Sequence, residues 1–326
     1  MSARRRAVLA GLAGLPALAQ GQAKAQEAAF PARPVRIVVP YPAGGSVDLV
    51  ARITAEALAA QWRQNVVVEV RSGGNGEIAA AAVRDAPADG YTILLGGPFL
   101  VANRHLQVGR GGDPFTTWRF AARLVDSPSL LVVPKASTAR SLAELVQQLA
   151  ASPLPQPYGY GGQGTTQHMV GEIWRNLAGL RLEAVPYRGG PPMVPDLLQG
   201  SLAVAVLPLV VAAPHVETGD LRALAIAGEK RSPIFPAVPT LTELGYAPAE
   251  VTSWLGLVVR AQTPEPVLQA ISAAALAALA QPALVPRFAP LGATVAAQGP
   301  EEFTAFAQRE DARLRDAIRR YGIRAE

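Results

Sequence analysis

Cysteine is absent from this chain. Disulfides, thiolate metal sites and a cysteine nucleophile are therefore excluded together. Histidine is nearly as scarce: His105, His168 and His215 are the only three. No two of them stand at the spacing of a helical zinc site, so a metal is not expected from them. No G-x-S-x-G elbow is present, so nucleophilic hydrolysis lacks its usual motif. Charge is sparse, at 17% of residues against 50% apolar, which argues for a packed chain rather than a disordered one. After the N-terminal segment no apolar run is long enough to cross a bilayer as a helix, so the mature chain is expected to be soluble.

The N-terminus does carry a signal. Arg4, Arg5 and Arg6 precede an apolar run from Ala7 to Ala19, and Ala23-Lys24-Ala25 supplies a small-x-small cleavage site. Residues 1–25 are read as a signal peptide for export by the Sec or the twin-arginine route. Removing it takes away Arg4, Arg5, Arg6 and Lys24 but no acid, so the formal charge falls from +5 to +1. The basic balance of the whole chain thus says little about nucleic acid, and no basic patch with interleaved aromatics is present.

What remains is a rhythm of strands and helices. Val35–Val39, Val66–Val70 and Tyr91–Leu95 read as buried strands separated by helical stretches, which argues for a parallel sheet with crossovers. A second such run follows, with strands at Leu130–Val133, around Tyr158–Tyr160, Leu182–Val185, Leu202–Leu207 and Leu221–Ala227. "VTSWLGLVV" then returns as a strand, and Glu301–Tyr321 as an amphipathic helix. In open α/β sheets ligands sit beyond the carboxyl ends of the strands. Two such units facing each other would bring their Gly-rich turns to one cleft.

Those turns are the candidate sites. Tyr41-Pro42-Ala43-Gly44-Gly45-Ser46 joins a strand to a helix, so glycine backbone and free first-turn amides can approach an anion. It lacks the Lys-Ser/Thr ending of a nucleotide-binding P-loop. Asp48 either complements the helix dipole or receives a polar ligand group. "GNGEIA" (74–79) has dinucleotide-fingerprint spacing, but the next strand ends without an acid, which disfavours that cofactor. "GGQGTTQH" (161–168) offers Gln163, Gly164, Thr165 and Thr166 at a helix start. There Thr165 is a candidate cap, and His168 either faces the cleft or lies on the surface. "VPYRGGPPM" (185–193) echoes Val39–Tyr41 and adds Tyr187, Arg188 and Gly189. Tyr41, Phe99, Tyr187 and Trp254 are aromatics placed to line a small pocket or to pack.

Taken together, "RPVRIVVPYPAGGSVDLVAR", "DGYTILLG", "YGYGGQGTTQHMVGE", "VPYRGGPPMVPDLLQG", "GDLRALAIAGEKRSP", "VPTLTELG" and "TSWLGLVV" followed by "TPEPVLQAI" resemble the extracytoplasmic solute receptors of tripartite tricarboxylate transporters, the Bug family. The resemblance spans about Arg33 to Ile323. It implies an α/β fold of two-lobed periplasmic-binding-protein (flytrap) type, each lobe a mainly parallel sheet flanked by helices, with two crossing segments. The lobes would be 26–130 plus 254–326, and 131–253. It implies a non-enzymatic, monomeric receptor in the periplasm, with neither a metal nor an organic cofactor, that captures a small carboxylate and delivers it to membrane permease subunits. Ligand contacts would map onto Tyr41 to Asp48, Gly97-Pro98-Phe99, Gln163 to His168, Tyr187 to Gly190, and the end of the strand at Leu207. Two departures bear on the ligand. Leu207 and Pro208 stand where many members carry an acid, and Pro98 and Phe99 stand where small hydroxyl residues are common. Both make the pocket less polar, so a ligand with one carboxylate and an apolar or aromatic remainder is expected. An exported α/β hydrolase and a sensor without a transport partner remain the alternatives.

Overall fold

Strands that are apolar on both faces organise the molecule. The computed structural model describes residues 30–106 and 112–324; the signal peptide expected at 1–25 lies outside the described residues. Val35–Val39 (β1) is buried except at Arg36, and Thr92–Gly96 (β3) is buried throughout, as strands covered by helices on both sides must be. Between them come Ser46–Trp62 (α1), Val66–Val70 (β2) and Glu77–Arg84 (α2); Phe99–Leu106 (α3) and Pro114–Thr117 (α4) follow. Trp118–Ser127 (β4) then leads across a single residue, Pro128, into Ser129–Pro134 (β5).

The second unit repeats the alternation. Leu142–Ala151 (α5), Gln156–Tyr160 (β6), Thr166–Leu177 (α6), Leu182–Pro186 (β7), Val194–Leu198 (α7), Val204–Pro208 (β8), Leu209–Glu217 (α8) and Leu221–Ala227 (β9) follow in order. Ser141 caps α5 by accepting from the Glu144 amide at 3.2 Å, as its sequence spacing suggests. The chain returns through residues 228–252 to Ser253–Arg260 (β10), then Glu265–Leu279 (α9), Val285–Phe288 (α10), Thr294–Gln298 (β11) and Pro300–Tyr321 (α11).

Two sheets result. The first has the order β11-β4-β10-β3-β1-β2, the second β7-β6-β8-β5-β9. Each is mixed, where a mainly parallel sheet is expected from the sequence. In the first, β2, β1 and β3 run parallel while β10, β4 and β11 pair antiparallel; in the second, β7, β6 and β8 run parallel, β5 runs against them, and β9 pairs antiparallel with β5. The cause is the crossing. Ser253 at the start of β10 pairs with Ser127 at the end of β4, and Ser129 at the start of β5 pairs with both Pro208 and Ala227. A strand that enters at the carboxyl edge of a parallel set, as β5 and β10 do, must run against it.

β4 has no clear signature in the sequence because Arg119, Arg123 and Asp126 interrupt its apolar run. The fold buries Arg123 by pairing it with Asp126, giving its Nη1 to Gln298 Oε1 at 3.0 Å and laying its guanidinium 3.5 Å from the centre of the Phe306 ring. A buried charge is tolerable only with such partners.

Candidate functional site

The carboxyl ends of β1–β3 and of β6–β8 face one cleft, and a cavity of about 300 Å³ lies between them. The β1–α1 turn forms part of its wall through Tyr41, Pro42, Ala43, Gly45, Ser46 and Val47. Gly44 adopts a left-handed backbone (φ +82°), and its amide donates to Asp48 Oδ2 at 3.0 Å. Arg52 Nε donates to the same oxygen at 3.0 Å. Asp48 is 2% exposed and does not line the cavity. It shapes the turn from behind. No side chain caps α1, so the first-turn amides at the cavity wall remain available to an anion.

The opposite wall comes from the β6–α6 turn. Thr165 Oγ1 accepts from the His168 amide at 3.3 Å and donates to the Gly162 carbonyl at 2.6 Å, closing the start of α6. The Gly164 amide donates to His168 Nδ1 at 3.1 Å, and the imidazole stacks on Tyr160 with ring centres 4.6 Å apart. His168 is 3% exposed, and burial pushes its pKa down to about 4. A neutral ring with Nδ1 accepting suits both facts. Thr165, Thr166 and Gln167 line the cavity; Gly164 and His168 do not.

Apolar groups fill much of the remaining wall. Phe99 and Pro98 follow β3, Pro208 and Val211 start α8, and Leu255 lies on β10. The Phe99 ring meets Tyr41 edge to face at 6.2 Å between centres. It is held from below by Gly76, where an added Cβ would come within 2.7 Å of the ring. Among the lining residues only Arg188 is charged. A second chamber of about 510 Å³ adjoins the first, sharing Tyr41, Pro42, Gly161, Arg188 and Gly189. It adds Ser72–Gly76, Gln163 and Tyr187.

The chain matches the family model for the tripartite tricarboxylate transporter family receptor over residues 50–323. It belongs to that family. The receptor is 33% identical to Protein BugT of Bordetella pertussis, covering 90% of this chain and 91% of the relative. It is 34% identical to a UPF0065 protein from the tcbD-tcbE intergenic region of Pseudomonas sp. (strain P51), covering 98% and 96%. Among solved structures it is similar to the periplasmic binding protein BugD, with TM-score 0.84 and 29% identity over 91% of this chain and all of that one. A Rhodopseudomonas palustris protein solved with adipate gives TM-score 0.85 and 31% identity over 90% and 99%. MatC of R. palustris with bound malate gives 0.82 and 29% over 89% and 100%. The family and these neighbours are solute-binding receptors, not enzymes, so the hydrolase alternative falls. Among the described residues no helix is long and apolar enough to cross a membrane, and no group of His, Asp and Glu could hold a metal ion.

The structure gathers most of the residues singled out from the sequence, and separates a few. Tyr41–Ala43, Gly45, Ser46, Gly97–Phe99, Thr165, Thr166, Arg188 and Gly189 line the inner cavity, while Gln163 and Tyr187 line the outer chamber. Gly44, Asp48, Gly164, His168 and Leu207 line neither. For the first four the reason is the hydrogen bonding just described. Leu207 is fully buried opposite Leu130, and its neighbour Pro208 faces the cavity instead. Strand alternation produces this one-residue offset. The same alternation on β10 sends Ser253 and Leu255 to the cavity and Trp254 into the core against Phe303 and Phe306. Gln167, inside the Gln163–His168 stretch that the resemblance marks, also lines the cavity. Ser253, Leu255 and Val211 belong to none of the candidate turns; only the register of β10 and the facing of α8 reveal them.

Proposed function

We propose that this receptor is exported to the periplasm, closes two lobes on a small carboxylate and presents it to membrane permease subunits. The two lobes are built on the two sheets and divide close to the expected bounds of 130/131 and 253/254, with the chain crossing at Pro128 and through residues 228–252. The carrying observation is the cavity itself. An uncapped helix start forms part of one wall, a lone cation stands on the other, and apolar groups occupy most of the space between. One end suits a carboxylate held by amides and by Arg188. The rest suits an apolar or aromatic remainder, with no acid to receive a second polar group. Ligand contacts are assigned to Tyr41–Ala43, Gly45, Ser46, Gly97–Phe99, Thr165, Thr166, Arg188 and Gly189. Relatives with bound adipate and malate support a carboxylate as the ligand class.

Binding to the closed form alone would stabilise the protein by mass action. Titration calorimetry on the mature protein with benzoate, phenylacetate, 3-phenylpropionate, adipate, malate and citrate is the test. The aromatic monocarboxylates are expected to bind more tightly than citrate. Tight citrate binding without aromatic-acid binding would overturn the ligand class. Delivery to a permease rather than signalling is tested by uptake of the bound acid in cells with and without the receptor.

A further inference from the structure

The inner cavity and the outer chamber share one charged group. Arg188 lines both, and no other charged side chain lines either among the described residues. Arg52, Arg175 and Arg231 are paired with acids, whereas Arg188 has no ion pair or hydrogen bond among the described residues. Its backbone is nonetheless held on both sides. The Tyr187 amide donates to the Tyr160 carbonyl at 2.9 Å, and the Tyr187 hydroxyl donates to the Asp196 carboxylate. Gly189 is left-handed at φ +95°, and Gly190 packs so closely on Pro208 that a Cβ would lie 3.0 Å from its ring. A fixed backbone thus carries a free cation.

The outer chamber opens to solvent: Ser72, Gly73, Gly74 and Ile78 on its rim are exposed, as is Arg188. The inner cavity has a buried floor in Gly97, Pro98, Phe99, Thr165 and Thr166 beneath a rim at Pro42, Ala43, Pro191 and Pro192 that is exposed. A single cation in a wall without acids attracts anions and repels cations, and apolar walls strengthen its field. We infer that Arg188 is the charge-selecting residue of the receptor and that the outer chamber is its capture vestibule. An anionic ligand meets Arg188 there and passes inward to the start of α1. This rests on the carboxylate ligand class argued above.

The experiment measures association rates and affinities of benzoate, phenylacetate and adipate, each beside its amide, for the wild type, Arg188→Gln and Arg188→Lys at several ionic strengths. In the wild type the acids bind more tightly than the amides, and their association slows as salt rises. Arg188→Gln is expected to slow association of the acids by about 10-fold and flatten its salt dependence, the signature of lost electrostatic steering, while amide binding falls by a clearly smaller factor and its rate keeps no salt dependence. Arg188→Lys keeps most of the rate. An Arg188→Gln variant that weakens acids and amides equally would show a packing role and overturn the inference. So would one whose acid rates and salt dependence match the wild type, since the start of α1 would then select charge alone. A wild type that binds none of the acids overturns the carboxylate ligand class and the inference together.

Discussion

The two helix starts that face the cleft share one frame and close it differently. In each, a left-handed glycine donates its amide to the side chain four residues on: Gly44 to Asp48, and Gly164 to His168. Behind that common bond they diverge. The first leaves its helix uncapped at Gly45 and holds Asp48 with Arg52. The second seals its helix with Thr165 and stacks His168 on Tyr160. One turn leaves its first-turn amides without any side-chain acceptor; the other gives one of them, that of His168, to Thr165. The two walls of the cavity therefore have different work, and the charge on the second wall comes from Arg188 rather than from a helix start.

The largest expected effect breaks the open turn. Gly45 has an ordinary φ of −80°, and an added Cβ would meet only the Pro42 carbonyl at 3.6 Å, so the fold accepts a side chain there. Gly45→Val should lower affinity for a bound aromatic acid by about 100-fold or more by blocking approach to the α1 amides. The melting temperature without ligand should stay close to wild type. Calorimetry and thermal melts check both halves.

The next effect belongs to the closed turn and appears in stability. The His168 pKa is pushed down from 6.5 to about 4, chiefly by burial, so the folded chain binds fewer protons there than the unfolded chain between those values. This contribution is fully present above pH 6.5 and is lost as pH falls toward about 4. Stability should drop by about 2 kcal/mol between pH 7 and pH 5 from this group alone. Urea melts at the two pH values measure it, and His168→Leu should remove this component of the slope.

The smallest effect sharpens the contrast in capping. Thr165→Ala removes a cap and should cost about 1 kcal/mol of stability. Ser46→Ala removes none and should change stability by less than about 0.5 kcal/mol. Equal losses in denaturant melts would mean that the two turns are closed alike.

Much of this was legible in sequence because it rests on local chemistry. Glycines at 44 and 164, a hydroxyl at 165 and apolar runs on both sides announce two strand–turn–helix units, and the turns do meet at one cavity. The repeated "VPY" misleads. Val39–Tyr41 runs off the end of β1, the middle of its three parallel strands, whereas Val185–Tyr187 runs off the end of β7, an outer one whose counterpart is β2. The true counterpart of the first Gly turn is Tyr160–Thr166, which shares little of its spelling.

The sequence by itself determined most of the strands, the two helix starts at the cleft, the exclusion of thiol chemistry and the family; β4 and β11 were not among the strands it announced. Each of these depends on residues near one another in the chain or on which residues are present at all. Tertiary structure alone decided that the sheets are mixed, because strand direction depends on where the crossings enter. It also decided that Pro208, Ser253 and Leu255 face the cavity while Leu207 and Trp254 do not, because a strand's two faces are assigned by the neighbours it pairs with. And it decided that Asp48 and His168 serve their own turns. Each lies one helical turn beyond a glycine whose amide it can reach, and only the folded turn brings the two together.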